Sequence, residues 1–181
     1  MIQIYLDTET TGIERGACII ELAAIMVDNG EIVDTFHKYC KPYRPVNPSA
    51  FAAHGISNEF LSDKPEEKCV LQEFCEWMLG SGATEVLAYN AQFDVRIIND
   101  RVQLDRILDK DLIDKNVTVI DVAKYAKKAI ATGLIPKDGR KWSQEYVGNK
   151  LGIEYNAHSA IEDVTAMMKI YNKLISLGVT L

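Results

Sequence analysis

Ile2-Gln3-Ile4-Tyr5-Leu6-Asp7-Thr8-Glu9-Thr10-Thr11-Gly12 opens the chain just after Met1, and the way this stretch ends decides the fold. Ile2 to Leu6 is a short apolar run, which predicts a buried strand, and the polar residues from Asp7 to Gly12 predict a loop. A second apolar run, Cys18 to Val27, leads into Asp28-Asn29-Gly30, residues that tolerate the positive φ of a tight hairpin. Ile32 to Tyr39 returns as a third strand. The N-terminal third therefore reads as an antiparallel β-meander.

Working outward, three prolines between Lys41 and Pro48 mark a connection, and short helices are expected at Ser49–His54 and Ser57–Leu61. Pro65 suits a first helical position, and Val70, Leu71, Phe74, Trp77 and Met78 recur at three and four, so 65–79 is an amphipathic helix ended by Gly80 and Gly82. Thr84 to Tyr89 and Val117 to Ile120 read as strands four and five. Each precedes a helix, near 91–107 with Asn90 as a cap and near 122–130. Thr132 to Lys141 is a loop, Ser143 caps a short helix to about Leu151, and a last helix covers 159–177. Crossover helices let strands four and five lie parallel. The expected fold is α/β and RNase H-like: a mixed five-stranded sheet, three strands antiparallel and two parallel, flanked by helices.

The chain of 181 residues is the size of one domain, 1–181, and its 48% apolar content fills a real core. Twenty Lys and Arg against 26 Asp and Glu give a net charge of −6, which argues against an open, non-specific grip on duplex DNA. Cations are nonetheless gathered locally at Lys124, Lys127, Lys128, Lys137, Arg140 and Lys141, with Asp138 alone opposing them. That run reads either as a solvated face or as a phosphate contact. The four cysteines form no Cys-x-x-Cys and are expected to be buried thiols. No apolar run spans a bilayer, and Asp7 interrupts any secretory signal, so a cytosolic protein without membrane contact is expected.

Three acidic sites, with four acids between them, and a histidine are the candidates for chemistry. Asp7 and Glu9, two apart on a strand, point to one side and can converge on one cation. Asp94 follows Asn90 and Phe93 where a helix leaves strand four, and His158 precedes Asp163 where the last helix begins. Each has a plainer reading alone: a solvated strand end, helix-start acids, a surface histidine. Their order, however, lets a mixed sheet gather all of them at one edge.

Asp7-Thr8-Glu9-Thr10-Thr11-Gly12, Asn90-x-x-Phe93-Asp94 and His158-x4-Asp163 resemble the three motifs of the DEDDh superfamily of 3′ to 5′ exonucleases. The connector from Ser49 through His54-Gly55-Ile56 to Pro65 is similar to that of the proofreading epsilon subunits of bacterial DNA polymerase III. The resemblance runs from Ile2 to about Leu174. It implies two divalent cations, Mg²⁺ or Mn²⁺, held by Asp7, Glu9, Asp94 and Asp163, with His158 as general base. It further implies release of nucleoside 5′-monophosphates from the 3′ end of a nucleic acid. Thr10, His54, Asn90 and Phe93 are then expected to contact the terminal nucleotide, and Arg140 and Lys141 the phosphates upstream. Phe93 also fits the helix's core stripe, and Trp142 reads as a core residue of the next helix or as a stacking side chain.

Two positions depart from the epsilon pattern, Ser49 where an acid is common and Tyr89 where a histidine is. The chain also stops soon after its last helix, where epsilon subunits continue into a polymerase-binding tail, so a stand-alone exonuclease, or one recruited by another surface, is expected in place of a polymerase-bound one. Single-stranded DNA is the expected substrate. The alternatives are an exoribonuclease on the same scaffold and a binding module that keeps the fold without catalysis.

Overall fold

The chain folds, in the computed structural model, into strands β1 (Ile2–Thr10), β2 (Ile19–Asp28) and β3 (Glu31–Tyr39), then helices α1 (Pro48–His54), α2 (Asn58–Leu61) and α3 (Glu67–Ser81). Strand β4 (Glu85–Ala88), helix α4 (Gln92–Leu104), strand β5 (Thr118–Asp121) and helices α5 (Val122–Ala131), α6 (Gln144–Lys150) and α7 (Ala160–Ser176) complete it. The structure describes residues 1–139, 141–157 and 159–181.

Sheet order is β3-β2-β1-β4-β5, with β1, β2 and β3 antiparallel and β1, β4 and β5 parallel, as expected for the RNase H-like class. The Asn29-Gly30 turn has φ of 50° and 91°, the left-handed pair that matches the twist of the flanking strands. β1 is longer than expected. It continues through Asp7 and Glu9 because β2 pairs with it residue by residue, Asp7 opposite Ala23 and Glu9 opposite Glu21. Paired backbone outweighs the low strand propensity of two acids.

Alternation along the strands divides the core in two. Ile4, Leu6, Leu22 and Ala24 face α3 and α4, where Phe74 and Ile98 are fully buried. Tyr5, Ala23 and Ile25 face α5 and α7, against Val164, Met167 and Ile170. Helices on both faces explain why Cys18 to Val27 reads as one apolar run broken only by Glu21.

Several local expectations are corrected. α3 starts at Glu67, since Pro65 and Glu66 are held by Lys41, whose N–H donates to the Pro65 carbonyl (2.7 Å) and whose carbonyl accepts from Glu67 N–H (3.1 Å). Gly80 lies inside α3, and Gly82, at φ 67°, ends it. Asn90 does not cap α4: it sits at φ 60° and α4 begins without a side-chain cap. Cys69 is exposed, whereas Cys18, Cys40 and Cys75 are buried. Trp142 precedes α6 and is 38% exposed, so it is not a core residue. No helix among the described residues is long and apolar enough to cross a membrane.

Candidate active site

β1 delivers its acids to the sheet's carboxyl edge, with consecutive residues on opposite faces. Asp7 and Glu9 share the face covered by α7, and Asp163, in the first turn of α7, meets them there. One carboxylate oxygen from each of the three lies within 4.8 Å of the others. Thr8 points the other way, toward α4. It donates its N–H (3.1 Å) and its hydroxyl (2.7 Å) to Asp94 Oδ1, so the strand that carries two acids also fixes a third from behind. Asp94 is buried. The structure thus brings together Asp7, Glu9 and Asp163, with Asp94 held on Thr8 beside them. His158 and Arg140 lie outside the described residues.

The electrostatics are those of crowded negative charge. Burial, then the charges of Asp94, Asp163, Glu9 and Glu21, push Asp7 well above the ordinary carboxylate range. Glu9 is pushed up to about 8 by burial and then by Asp163, Glu21 and Asp94. Asp94 rises to about 7 through burial, opposed by its two bonds from Thr8. Four carboxylates in a recess are costly unless a cation compensates them. All-oxygen ligands converging from three chain segments suit a hard divalent cation and offer nothing to a thiophilic one.

Beside the acids a cleft of about 370 Å³ opens between the loop after β1, helix α1 and the start of α4. Thr10, Ile13, Ser49, Ala53, His54 and Phe93 are among its walls, so Phe93 turns to the cleft and not to the core stripe. Three of its polar walls, Thr10, Ser49 and His54, hold hydrogen bonds within the protein. Thr10 Oγ1 donates to the Gly12 carbonyl (2.7 Å), and Ser49 Oγ donates to Asn47 Oδ1 (2.9 Å). His54 Nδ1 accepts from Ile56 N–H (3.0 Å), which leaves Nε2 to donate to the Thr10 carbonyl (3.2 Å) and fixes the neutral tautomer. Gly12 leaves room for neighbouring side chains: a Cβ there would lie 2.3 Å from Asn47 Nδ2 and 2.3 Å from Glu14 Oε2, and both side chains would have to shift. Asn90 is exposed, donates its backbone N–H to Asp121 Oδ1 (3.0 Å), and is not among the cleft's walls. Lys141 is exposed and paired with Asp138 (2.9 Å).

Three contributors escape a reading of the sequence. Thr8 is one; only its place between two acids on a strand hints that it faces the other way. Gln144 Nε2 donates to the Asp163 carbonyl (2.8 Å) and to Asp163 Oδ1 (3.0 Å), and no local pattern signals it. Glu21 is fully buried and takes a 2.7 Å contact from His37 Nε2. It stands opposite Glu9 in the ladder, and an acid inside an apolar run is the trace it leaves in the sequence.

Sheet order, two helix layers and an acidic mouth at the end of a central strand define the RNase H-like class of nucleases. Within that class the chain belongs to the exonuclease family, whose profile matches residues 4–171. It is 34% identical over 180 residues to the DNA polymerase III subunit epsilon of Pasteurella multocida, covering 93% of this chain and 66% of that protein. The chain thus spans about two thirds of that relative's length. Among solved structures, Escherichia coli exonuclease I in complex with a dA16 oligonucleotide superposes with a TM-score of 0.81 at 21% identity, over 97% of this chain and 41% of that one. Exonuclease X in complex with 5′ overhanging duplex DNA gives 0.66 at 26% identity, over 98% and 94%.

Proposed function

We propose that the protein is a 3′ to 5′ exonuclease dependent on two divalent cations, Mg²⁺ or Mn²⁺, that removes nucleoside 5′-monophosphates from single-stranded 3′ ends, DNA in preference to RNA. The observation that carries this is the convergence of Asp7, Glu9 and Asp163 within 4.8 Å, with buried Asp94 alongside. The epsilon relative and the DNA-bound exonucleases support the substrate class.

Asp7, Glu9, Asp94 and Asp163 would hold the cations. When bound, two such ions lower the pKa of water, neutralise the phosphoryl oxygens and stabilise the departing alkoxide. The chain's own groups do the rest. Gln144 keeps Asp163 oriented and Thr8 keeps Asp94 oriented, so neither carboxylate needs to reorganise as charge builds. The terminal nucleoside occupies the cleft between Thr10, His54 and Phe93, whose walls are largely apolar once their internal hydrogen bonds are counted. Such walls bind any base. His158, five residues before Asp163 in the sequence, takes the proton from the attacking water. The water oxygen joins phosphorus, the P–O3′ bond breaks, and the 3′-oxygen of the remaining strand gains a proton. Arg140 and Lys141 hold the strand upstream.

The test is digestion of 5′-labelled and 3′-labelled DNA and RNA oligonucleotides with and without Mg²⁺. A ladder shortening from the 3′ end, abolished by EDTA and by Asp7→Ala or His158→Ala, is expected. Equal activity in the wild type and both variants would reject the assignment.

A further inference from the structure

Trp142 is one of two tryptophans in the chain and leaves 38% of its surface in solvent. Its backbone is anchored. The Tyr89 hydroxyl, buried at the end of β4, donates to the Trp142 carbonyl. Two residues on, Gln144 grips Asp163. Successive Cα atoms are about 3.8 Å apart, so the Trp142 backbone lies within about 8 Å of a residue that touches the acidic cluster. Lys127 Nζ lies 4.9 Å from the indole centroid. Exposed Lys124 and Lys128 flank it on α5, and exposed Lys137 lies in the loop that leads to Trp142.

We propose that Trp142, backed by Lys127, is a stacking platform for a base of single-stranded nucleic acid upstream of the nucleotide held at the carboxylates. The proposal rests on the nuclease reading above. Lys127 lies over the indole, whose solvent-exposed surface receives the base, while the neighbouring lysines meet the phosphates. Stacking on an aromatic face is indifferent to sequence, which suits a strand that moves past one nucleotide at a time. It also supplies attraction where a protein of net charge −6 would otherwise repel the backbone.

The test uses intrinsic fluorescence, because the other tryptophan, Trp77, is half-buried and packs on Phe36 and Phe74. An oligothymidylate of about ten nucleotides, ended by a 3′ phosphorothioate to resist hydrolysis, should quench the wild type and Trp77→Phe but not Trp142→Phe. Trp142→Ala should bind it at least about fivefold more weakly, with Trp142→Phe in between. Hydrolysis of the 5′-p-nitrophenyl ester of thymidine monophosphate, which carries no upstream nucleotide, serves as reference. The ratio of kcat/KM on the oligonucleotide to that on the ester should fall in Trp142→Ala by a similar factor. Unquenched Trp77→Phe, or unchanged affinity in Trp142→Ala, overturns the platform and leaves a protein partner as the occupant of this surface. Equal losses on both substrates also overturn it, since Trp142 would then act through Gln144 and Asp163. If the wild type hydrolyses neither substrate, the nuclease reading fails, while the quenching titration still decides whether Trp142 binds nucleic acid.

Discussion

In the proposed function Glu9 answers two opposed demands: folding favours its neutral form, and holding a cation would require its charge. Its pKa is raised from 4.5 to about 8, so between these values the folded chain binds more protons than the unfolded one. Stability of the metal-free protein therefore falls as pH rises through that window, and Asp7 and Asp94, raised for similar reasons, add to the slope. Mg²⁺ competes with those protons, so its stabilising effect should grow across the same window; melting temperatures with EDTA and with Mg²⁺ across the pH series check both signs. Glu9→Gln should abolish hydrolysis yet stabilise the metal-free protein by about 1–3 kcal/mol, seen as a higher melting temperature in EDTA. Thr8→Val removes one of the bonds that hold the Asp94 pKa down. The acidic limb of its pH–rate profile should move to higher pH.

At the scale of elements, α4 and α3 are tied to the sheet by a buried ion pair. Arg101 Nε donates to Glu67 Oε1 (2.8 Å), which also accepts from Ile19 N–H (2.7 Å), and Arg101 extends to Asp105 (2.8 Å). Arg101→Ala strands the Glu67 charge inside the protein and should cost about 3–5 kcal/mol in urea unfolding. The meander was legible because its apolar runs and the Asn29-Gly30 turn are local signals. The extension of β1 to Thr10 was not, because the pairing with β2 that carries it past the apolar run is not a local signal. Asn90 looks like a helix cap because its side chain suits that role, but its left-handed backbone puts it before the first turn of α4. The acids of the site were legible as motifs. Gln144 and Thr8 were not, since what each touches is set by packing between segments far apart in the chain, Gln144 on α7 and Thr8 on α4.

Across the whole molecule, charge is segregated: an acidic mouth beside lysines in a chain of net charge −6. Neutralising Lys137 and Lys141 together should weaken single-strand binding and reduce the slope of log Kd against log salt by about 1.4, or about 0.7 per phosphate contact. Unchanged affinity and slope would remove this loop from the strand's path.

Asp94 reaches β1 from one side of the sheet and Asp163 from the other, each at the start of a different helix. A chain with only one helical layer docked has at most part of the acidic set in place. Cutting competence should therefore appear last in refolding, after both layers have closed, and a nascent or half-folded copy would be harmless to any strand it met. The sheet works as an interlock as well as a scaffold.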